Sequence, residues 1–130
     1  MKMIARSCSV LLCLFAFLAA PAFANEGGGG GAAAEPLRFV VNLAGSGRIL
    51  QVDMVFEVAH TEVDGTLKAI RPKVQHKLII LLSSEQPEQL LTLEGKKALA
   101  ESIRDVLNKL LDETPKSGVK EVLFTNFIIQ

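Results

Sequence analysis

Three side chains near the middle of the chain have a spacing that could bind a metal ion. His60, Glu62 and Asp64 alternate in the sequence, which contains only two histidines. At the end of an extended strand, alternate residues point to one face, so the three side chains could bind the same metal ion. Because a structural zinc site needs four ligands and a catalytic one needs three plus water, the spacing instead favours a solvated strand end. The second histidine, His76, is expected to face water from a helix.

Other residue types give no catalytic set. Gly45, Ser46 and Gly47 form a G-x-G sequence, but the residues that follow predict a strand. A dinucleotide-binding fingerprint requires glycines that open a helix, so these residues are expected to form a hairpin turn. Lys96 and Lys97 are expected on the solvated face of a helix. The sequence therefore predicts no catalytic, cofactor-binding or metal-binding residue, and it indicates a binding or assembly protein and not an enzyme.

Composition excludes further classes. The chain has 130 residues, with 14 basic and 14 acidic residues, seven phenylalanines, and no tryptophan or tyrosine. A neutral chain with few aromatic residues lacks the basic, stacking surface that nucleic acids require, so no nucleic-acid partner is expected. The length indicates one domain, and a hydrophobic content of 49% is too high for general disorder.

Residues 1–24 have the pattern of a targeting segment. Lys2 and Arg6 precede an uncharged apolar stretch at 8–20, and an A-x-A sequence follows at 22–24. This pattern predicts a secretory signal peptide that is cleaved after position 24. The alternative is a short membrane anchor that is retained.

Both cysteines, Cys8 and Cys13, lie within this segment, so a cleaved chain would have no disulfide or reactive thiol. Residues 25–35 include five consecutive glycines and predict a flexible leader. The leader could act as a tether to a membrane, or it could be a disordered terminus without a role.

Two runs of alternating apolar residues predict a β-hairpin. The first run begins at 37, and the second spans 48–60; the turn at 44–47 joins them. The second run places these residues on one face: Leu50, Val52, Met54, Phe56 and Val58. Because only one face is consistently apolar, one side of the sheet should be covered.

The next segment predicts the covering helices. Between 61 and 83, apolar residues recur at helical spacing, and Pro72 interrupts them. Either one helix kinks at Pro72 or a helix begins there; the spacing favours the kink. A short turn should follow from Ser84 to Leu91, and Thr92 should cap an amphipathic helix over 93–111.

The final segment, 119–130, predicts a strand that is apolar on both faces. Such a strand is expected inside the sheet, paired with the hairpin. Its uncharged end, FTNFIIQ, should be buried in its own sheet or against a partner. The predicted fold class is α+β: a two-layer sandwich in which two main helices pack on an antiparallel or mixed three-stranded sheet, in the order β-β-α-α-β.

Five short sequences occur in order along 37–130. They are FVVNL at 39–43, RPKV at 71–74, IILLSS at 79–84, LTLEGKKAL at 91–99 and VLFTNFIIQ at 122–130. In their order, spacing and C-terminal position they resemble the flagellar basal-body-associated FliL family. On this resemblance, 36–130 is a FliL-like periplasmic domain.

The resemblance implies a small, non-enzymatic protein at the inner membrane. It implies a stomatin-like (SPFH) domain that self-associates into rings around the stator units of the flagellar motor and supports motility. The implied partners are flagellar stator and basal-body proteins and further copies of the chain. The family usually has a full transmembrane helix, whereas the segment 1–24 is shorter and has a cleavable pattern. The alternative function is a soluble periplasmic ligand- or metal-binding protein that uses His60, Glu62 and Asp64.

Overall fold

The structure, a computed structural model, describes residues 35–130. The predicted signal peptide or anchor at 1–24, and the predicted leader up to 34, lie outside the described residues. The elements are β1 (Leu37–Asn42), β2 (Ile49–Val58), α1 (Thr61–Ala69), α2 (Arg71–Ser83), α3 (Pro87–Leu90), α4 (Leu93–Leu111) and β3 (Val119–Ile129). This order confirms the predicted α+β class with a three-stranded sheet.

The sheet has the order β1-β2-β3, and both neighbouring pairs are antiparallel. The predicted pairing of the last strand with the hairpin is therefore confirmed. The predicted interior position of β3 is wrong, because β2 is central and β3 forms an edge. The apolar residues on the second face of β3, Leu123 and Ile128, are 41% and 40% exposed. Apolar residues on both faces of this strand therefore do not indicate an interior position; one of its faces is exposed among the described residues.

The helices cover one face of the sheet, the inner face. Leu50, Val52 and Met54 of β2 are completely buried there. They share a core with residues of the two longest helices: Val74, Leu78 and Leu82 of α2, and Leu99, Ile103 and Leu107 of α4. The period-two pattern of β2 is thus the alternation between this core and the opposite, outer face.

The favoured kinked helix at Pro72 is wrong, because the chain forms two helices that meet at Ile70. The N–H of Ile70 donates to the carbonyl of Thr66 and ends α1, and α2 begins at Arg71. Pro72 lies in the first turn of α2, where its missing N–H costs no helical hydrogen bond. In one continuous helix, the proline ring would clash with the carbonyl four residues earlier, so the break precedes it.

The predicted cap of α4 is confirmed. The hydroxyl of Thr92 accepts a hydrogen bond of 3.0 Å from the N–H of Gly95. Gly95 also allows α3 to approach closely, since a Cβ at this position would lie 1.8 Å from the carbonyl oxygen of Gln89. Asp112 ends α4 in the left-handed region, with a φ of 56°. The boundaries of the longest helix thus follow from local residue chemistry at both ends.

A buried asparagine joins α4 to β3. Asn108 is 4% exposed. Its Nδ2 donates to the carbonyl oxygen of Val119 (2.9 Å), and its Oδ1 accepts from the N–H of Val119 (2.7 Å). Gly118 permits this contact, because a Cβ at 118 would lie 2.3 Å from Oδ1 of Asn108. The side-chain amide therefore fixes where β3 begins relative to the helix.

We expect Asn108→Ala to lower the free energy of unfolding by about 1–3 kcal/mol, because buried backbone groups of Val119 lose their partner. Urea unfolding followed by circular dichroism measures the change. Asn42→Ala, at an exposed asparagine of β1, is the matched control and should change it by less than about 0.5 kcal/mol. Equal effects of the two substitutions would contradict the role of the buried amide.

Candidate functional site

The structure does not bring His60, Glu62 and Asp64 together as a metal site. His60 is the residue before α1, while Glu62 and Asp64 lie in the first helical turn and not in an extended segment. Carboxylates are favourable there because the helix dipole is positive at its N-terminus. Asp64 also forms an ion pair of 2.6 Å with Lys68. Among residues 35–130, no group of three His, Cys, Asp or Glu side chains could hold a metal ion.

The other residues singled out from the sequence lie in a turn or on helix surfaces. The turn prediction is confirmed: Gly45 and Gly47 have positive φ angles of 75° and 66°, and they connect β1 to β2. His76 is exposed on α2, as predicted, and Lys97 is exposed on α4. Lys96 is half-buried and not fully solvated, and its ammonium group lies 5.3 Å from the centre of the Phe127 ring. This cation–π contact connects the start of α4 to the end of β3.

The described helices leave the outer sheet face uncovered. We define it by the residues that point away from the core: Arg38, Val40 and Asn42 of β1; Ile49, Gln51, Asp53, Val55 and Glu57 of β2; and Glu121, Leu123, Asn126 and Ile128 of β3. Val40 is 61% exposed, and Ile49, Leu123 and Ile128 are each about 40% exposed. Exposed apolar side chains grouped on one face are typical of a protein-binding surface.

An ion pair crosses the middle of this face. Arg38 Nε and Nη2 donate to the two carboxylate oxygens of Asp53, at 2.8 and 3.0 Å. The two residues are directly opposite in the β1–β2 register. These hydrogen bonds lower the pKa of Asp53 below its ordinary value and raise the pKa of Arg38; an added hydrogen bond from Asn126 also lowers the pKa of Asp53. This fixed polar row therefore separates the apolar side chains nearer the hairpin turn, Val40, Ile49 and Ile128, from Val55 and Leu123 on its other side.

Sequence reasoning missed this ion pair, although the turn contains the information needed to find it. The N–H of Leu43 donates to the carbonyl of Arg48 and closes the hairpin. Counting outward from this pair by equal steps on both strands places Arg38 opposite Asp53. The hairpin prediction fixed the strands but not their register, which is the level at which cross-strand pairs are decided.

Two more surface features adjoin the outer face. At the hairpin end, Ile79 of α2 lines a shallow groove together with Val40 and Ile49, and the neighbouring Ile80 is 60% exposed. At the opposite end, a groove of about 620 Å³ between α4 and the β3 edge has lining residues of both charges: Glu57, Glu101, Glu121, Lys97, Arg104 and Lys120. Both grooves are open and shallow, which suits contact with another protein better than enclosure of a small molecule.

Comparisons with known proteins identify what the chain resembles. Residues 35–130 match the family model described as "Flagellar basal body-associated protein FliL". The chain is similar to the flagellar protein FliL of Escherichia coli strain K12, with 32% identity over 93 residues that cover 71% of this chain and 60% of that protein. It is also similar to the flagellar protein FliL of Aquifex aeolicus strain VF5, with 30% identity over 94 residues that cover 71% and 56%. The chain therefore spans about 60% of the length of these relatives.

Within the part of the chain that the structure describes, no helix is both long and apolar enough to cross a bilayer.

The Arg38–Asp53 pair should make stability depend on pH. Because the native pKa of Asp53 is lowered, the pair contributes fully above the unfolded pKa of about 3.9, and its contribution is lost as the pH falls through the lower native value. We expect the difference in urea midpoint between the wild type and Asp53→Asn to be constant from pH 7 to 5 and to shrink at more acidic pH. Asp105→Asn is the control: its carboxylate also contacts an arginine but is 66% exposed, so its effect should be smaller. A difference that is unchanged down to pH 2 would contradict this assignment.

Proposed function

The chain belongs to the FliL family of flagellar basal body-associated proteins, and from this membership we propose that it supports stator assembly or function, and hence motility, through protein–protein contacts. The observation that carries the proposal is the family match over 35–130, which includes every described residue. The outer sheet face supports it, because its exposed apolar residues provide a surface suited to a protein partner.

The proposed role needs contact surfaces and no catalytic step. The alternative function, ligand or metal binding through His60, Glu62 and Asp64, loses its geometric basis because two of these residues lie in a helical turn. The ion pair between Asp64 and Lys68 further occupies one of the three candidate ligands. Contact with flagellar proteins is therefore the function that we propose.

The arrangement of the protein in the cell is part of the same proposal. We propose that the chain is exported, that it acts in the periplasm at the inner membrane, and that copies associate with one another. We also propose that the folded domain is related to stomatin-like (SPFH) domains. The α+β fold and the uncovered face of its sheet are compatible with such side-by-side association.

Deleting the gene should reduce swimming or swarming, because the stator would lose a supporting contact. The measurement is the diameter of motility rings in soft agar, together with recovery of stator proteins with the affinity-tagged full chain. Restoring the wild-type gene in the deletion strain is the control and should return motility to normal. Normal motility in the deletion strain, with no flagellar protein recovered, would reject the proposal.

The mature N-terminus should begin at Asn25. The A-x-A sequence at 22–24 places small residues where a signal peptidase cleaves. Mass spectrometry of the protein purified from its natural host measures the terminus directly. An intact Met1 would instead assign 1–24 as a retained anchor, and Ala24→Phe, which should block cleavage, provides the reference for the uncleaved mass.

A further inference from the structure

We infer that α2 of one copy docks on the outer sheet face of a second copy, with Lys73 and Lys77 against Glu57 and Glu121, and Ile80 against Leu123. This inference rests on the self-association included in the proposed function and specifies the surfaces that carry it. Two surfaces on the same chain, described below, match each other in charge, in apolar character and in spacing.

The exposed side of α2 is basic at its start and apolar at its end. Its 13 residues include Arg71, Lys73 and Lys77 but no acidic residue, and its first turn lacks the carboxylate that the helix dipole favours. Both lysines are exposed, and Ile80, one turn beyond Lys77, is 60% exposed. Among the ion pairs of residues 35–130, none involves a residue of α2.

The outer sheet face complements this side of α2 at the end away from the hairpin turn, where acidic side chains are followed by apolar ones. Glu57 and Glu121 are directly opposite each other in the β2–β3 register, and both are exposed. Like charges opposite each other destabilise a sheet unless a cation lies between them. The next row toward the middle of the sheet consists of Val55 and Leu123, so an acidic row is followed by an apolar row.

Three cations of the same chain, Lys97, Arg104 and Lys120, line the groove that Glu57 and Glu121 also line. Lys97 and Arg104 project from α4, which packs on the inner side of the sheet, and Lys120 occupies the irregular position where the β2–β3 register shifts. Arg104 contacts Asp105 at 3.2 Å. Among the described residues, no salt bridge includes Glu57 or Glu121. Both exposed glutamates therefore lie beside these cations without forming a salt bridge to them, and they can accept cations from a second copy that approaches the outer face.

The spacing of the two surfaces agrees. Successive residues on one face of a strand are about 7 Å apart, which is the distance from the acidic row to the apolar row. Along a helix with a rise of about 1.5 Å per residue, Ile80 lies about 4.5 Å beyond Lys77 and about 10.5 Å beyond Lys73. The midpoint of the two lysines is thus about 7.5 Å from Ile80, close to the distance between the rows.

The contact must join different copies. Val74, Leu78 and Leu82 fix α2 to the inner side of the sheet, so its exposed side faces away from the outer sheet face of its own chain. Because the two surfaces differ, the contact is heterologous, and repeated use of it produces a closed ring or an open chain. An anionic membrane could attract α2, but it would leave the acidic row without a partner, so a second copy accounts for both surfaces.

Charge reversal in the full chain tests the inference. The first variant is Lys73→Glu with Lys77→Glu, and the second is Glu57→Lys with Glu121→Lys. Matched controls of equal charge change at other exposed positions are Lys109→Glu with Lys116→Glu, and Glu88→Lys with Glu113→Lys. Each protein is purified in a mild nonionic detergent, its fold is checked by circular dichroism, and its association is measured by sedimentation velocity.

We expect each of the first two variants to lose at least about tenfold in association constant, while the controls associate like the wild type. Mixing the two impaired variants should restore association, because the acidic α2 of one then meets the basic sheet of the other. If the wild type is associated but neither variant is impaired, or if the folded variants do not recover on mixing, the contact is wrong while self-association stands.

A monomeric wild type would overturn both this contact and the proposed self-association. A final outcome separates a membrane role: if the Lys73→Glu, Lys77→Glu variant associates normally but no longer binds phosphatidylglycerol vesicles that the wild type binds, α2 is a lipid-binding helix and the contact between copies is wrong.

Discussion

Covering a three-stranded sheet on one face only is the constraint on which the rest of this fold depends. β2 is hydrogen-bonded on both sides, so the backbone of the central strand is satisfied by β1 and β3. Its inward residues Leu50, Val52 and Met54 then require a continuous apolar layer, which α2 and α4 supply. The two hydrogen bonds between the side chain of Asn108 and the backbone of Val119 connect that layer to the sheet. Within residues 35–130, the same arrangement leaves the other face of the sheet without a covering layer.

Much of this fold can be predicted from the sequence because its elements are determined locally. The hairpin follows from period-two alternation and the glycines at 45 and 47, and α4 follows from its Thr92 cap and helical periodicity. The break at Ile70 was less predictable, because a proline in an apolar helical pattern is consistent with a kink or with a new helix. The edge position of β3 was not predictable from its apolar residues, since an exposed apolar face and a buried apolar face have the same residue types.

The candidate site shows the same division between local and long-range information. Alternation made His60, Glu62 and Asp64 look like one face of a strand, but the helix begins at Thr61, which removes that geometry. The Arg38–Asp53 pair depends on the register of β1 and β2. The hydrogen bonds of Asn108 depend on how closely α4 approaches the start of β3, eleven residues further along the chain. The first pair can be found once the hairpin register is fixed by its turn, whereas the second requires the helix to be placed against the strand. The resemblance to the family required neither of these residue pairs, because it was found from five short sequences that occur in order along the chain.

The separation of β2 and β3 along the chain has a consequence for folding. The hydroxyl of Thr125 donates to the carbonyl of Asp53 across 72 positions, and contacts over such spans form late because closing a long loop costs chain entropy. The hairpin and α4 can form from neighbouring residues, whereas one side of β2 stays unpaired until the chain beyond Gly118 reaches it. During that interval the domain presents an unprotected strand with apolar side chains, which favours aggregation. The docking rate of the last 11-residue strand therefore determines how long the newly made domain stays prone to aggregation.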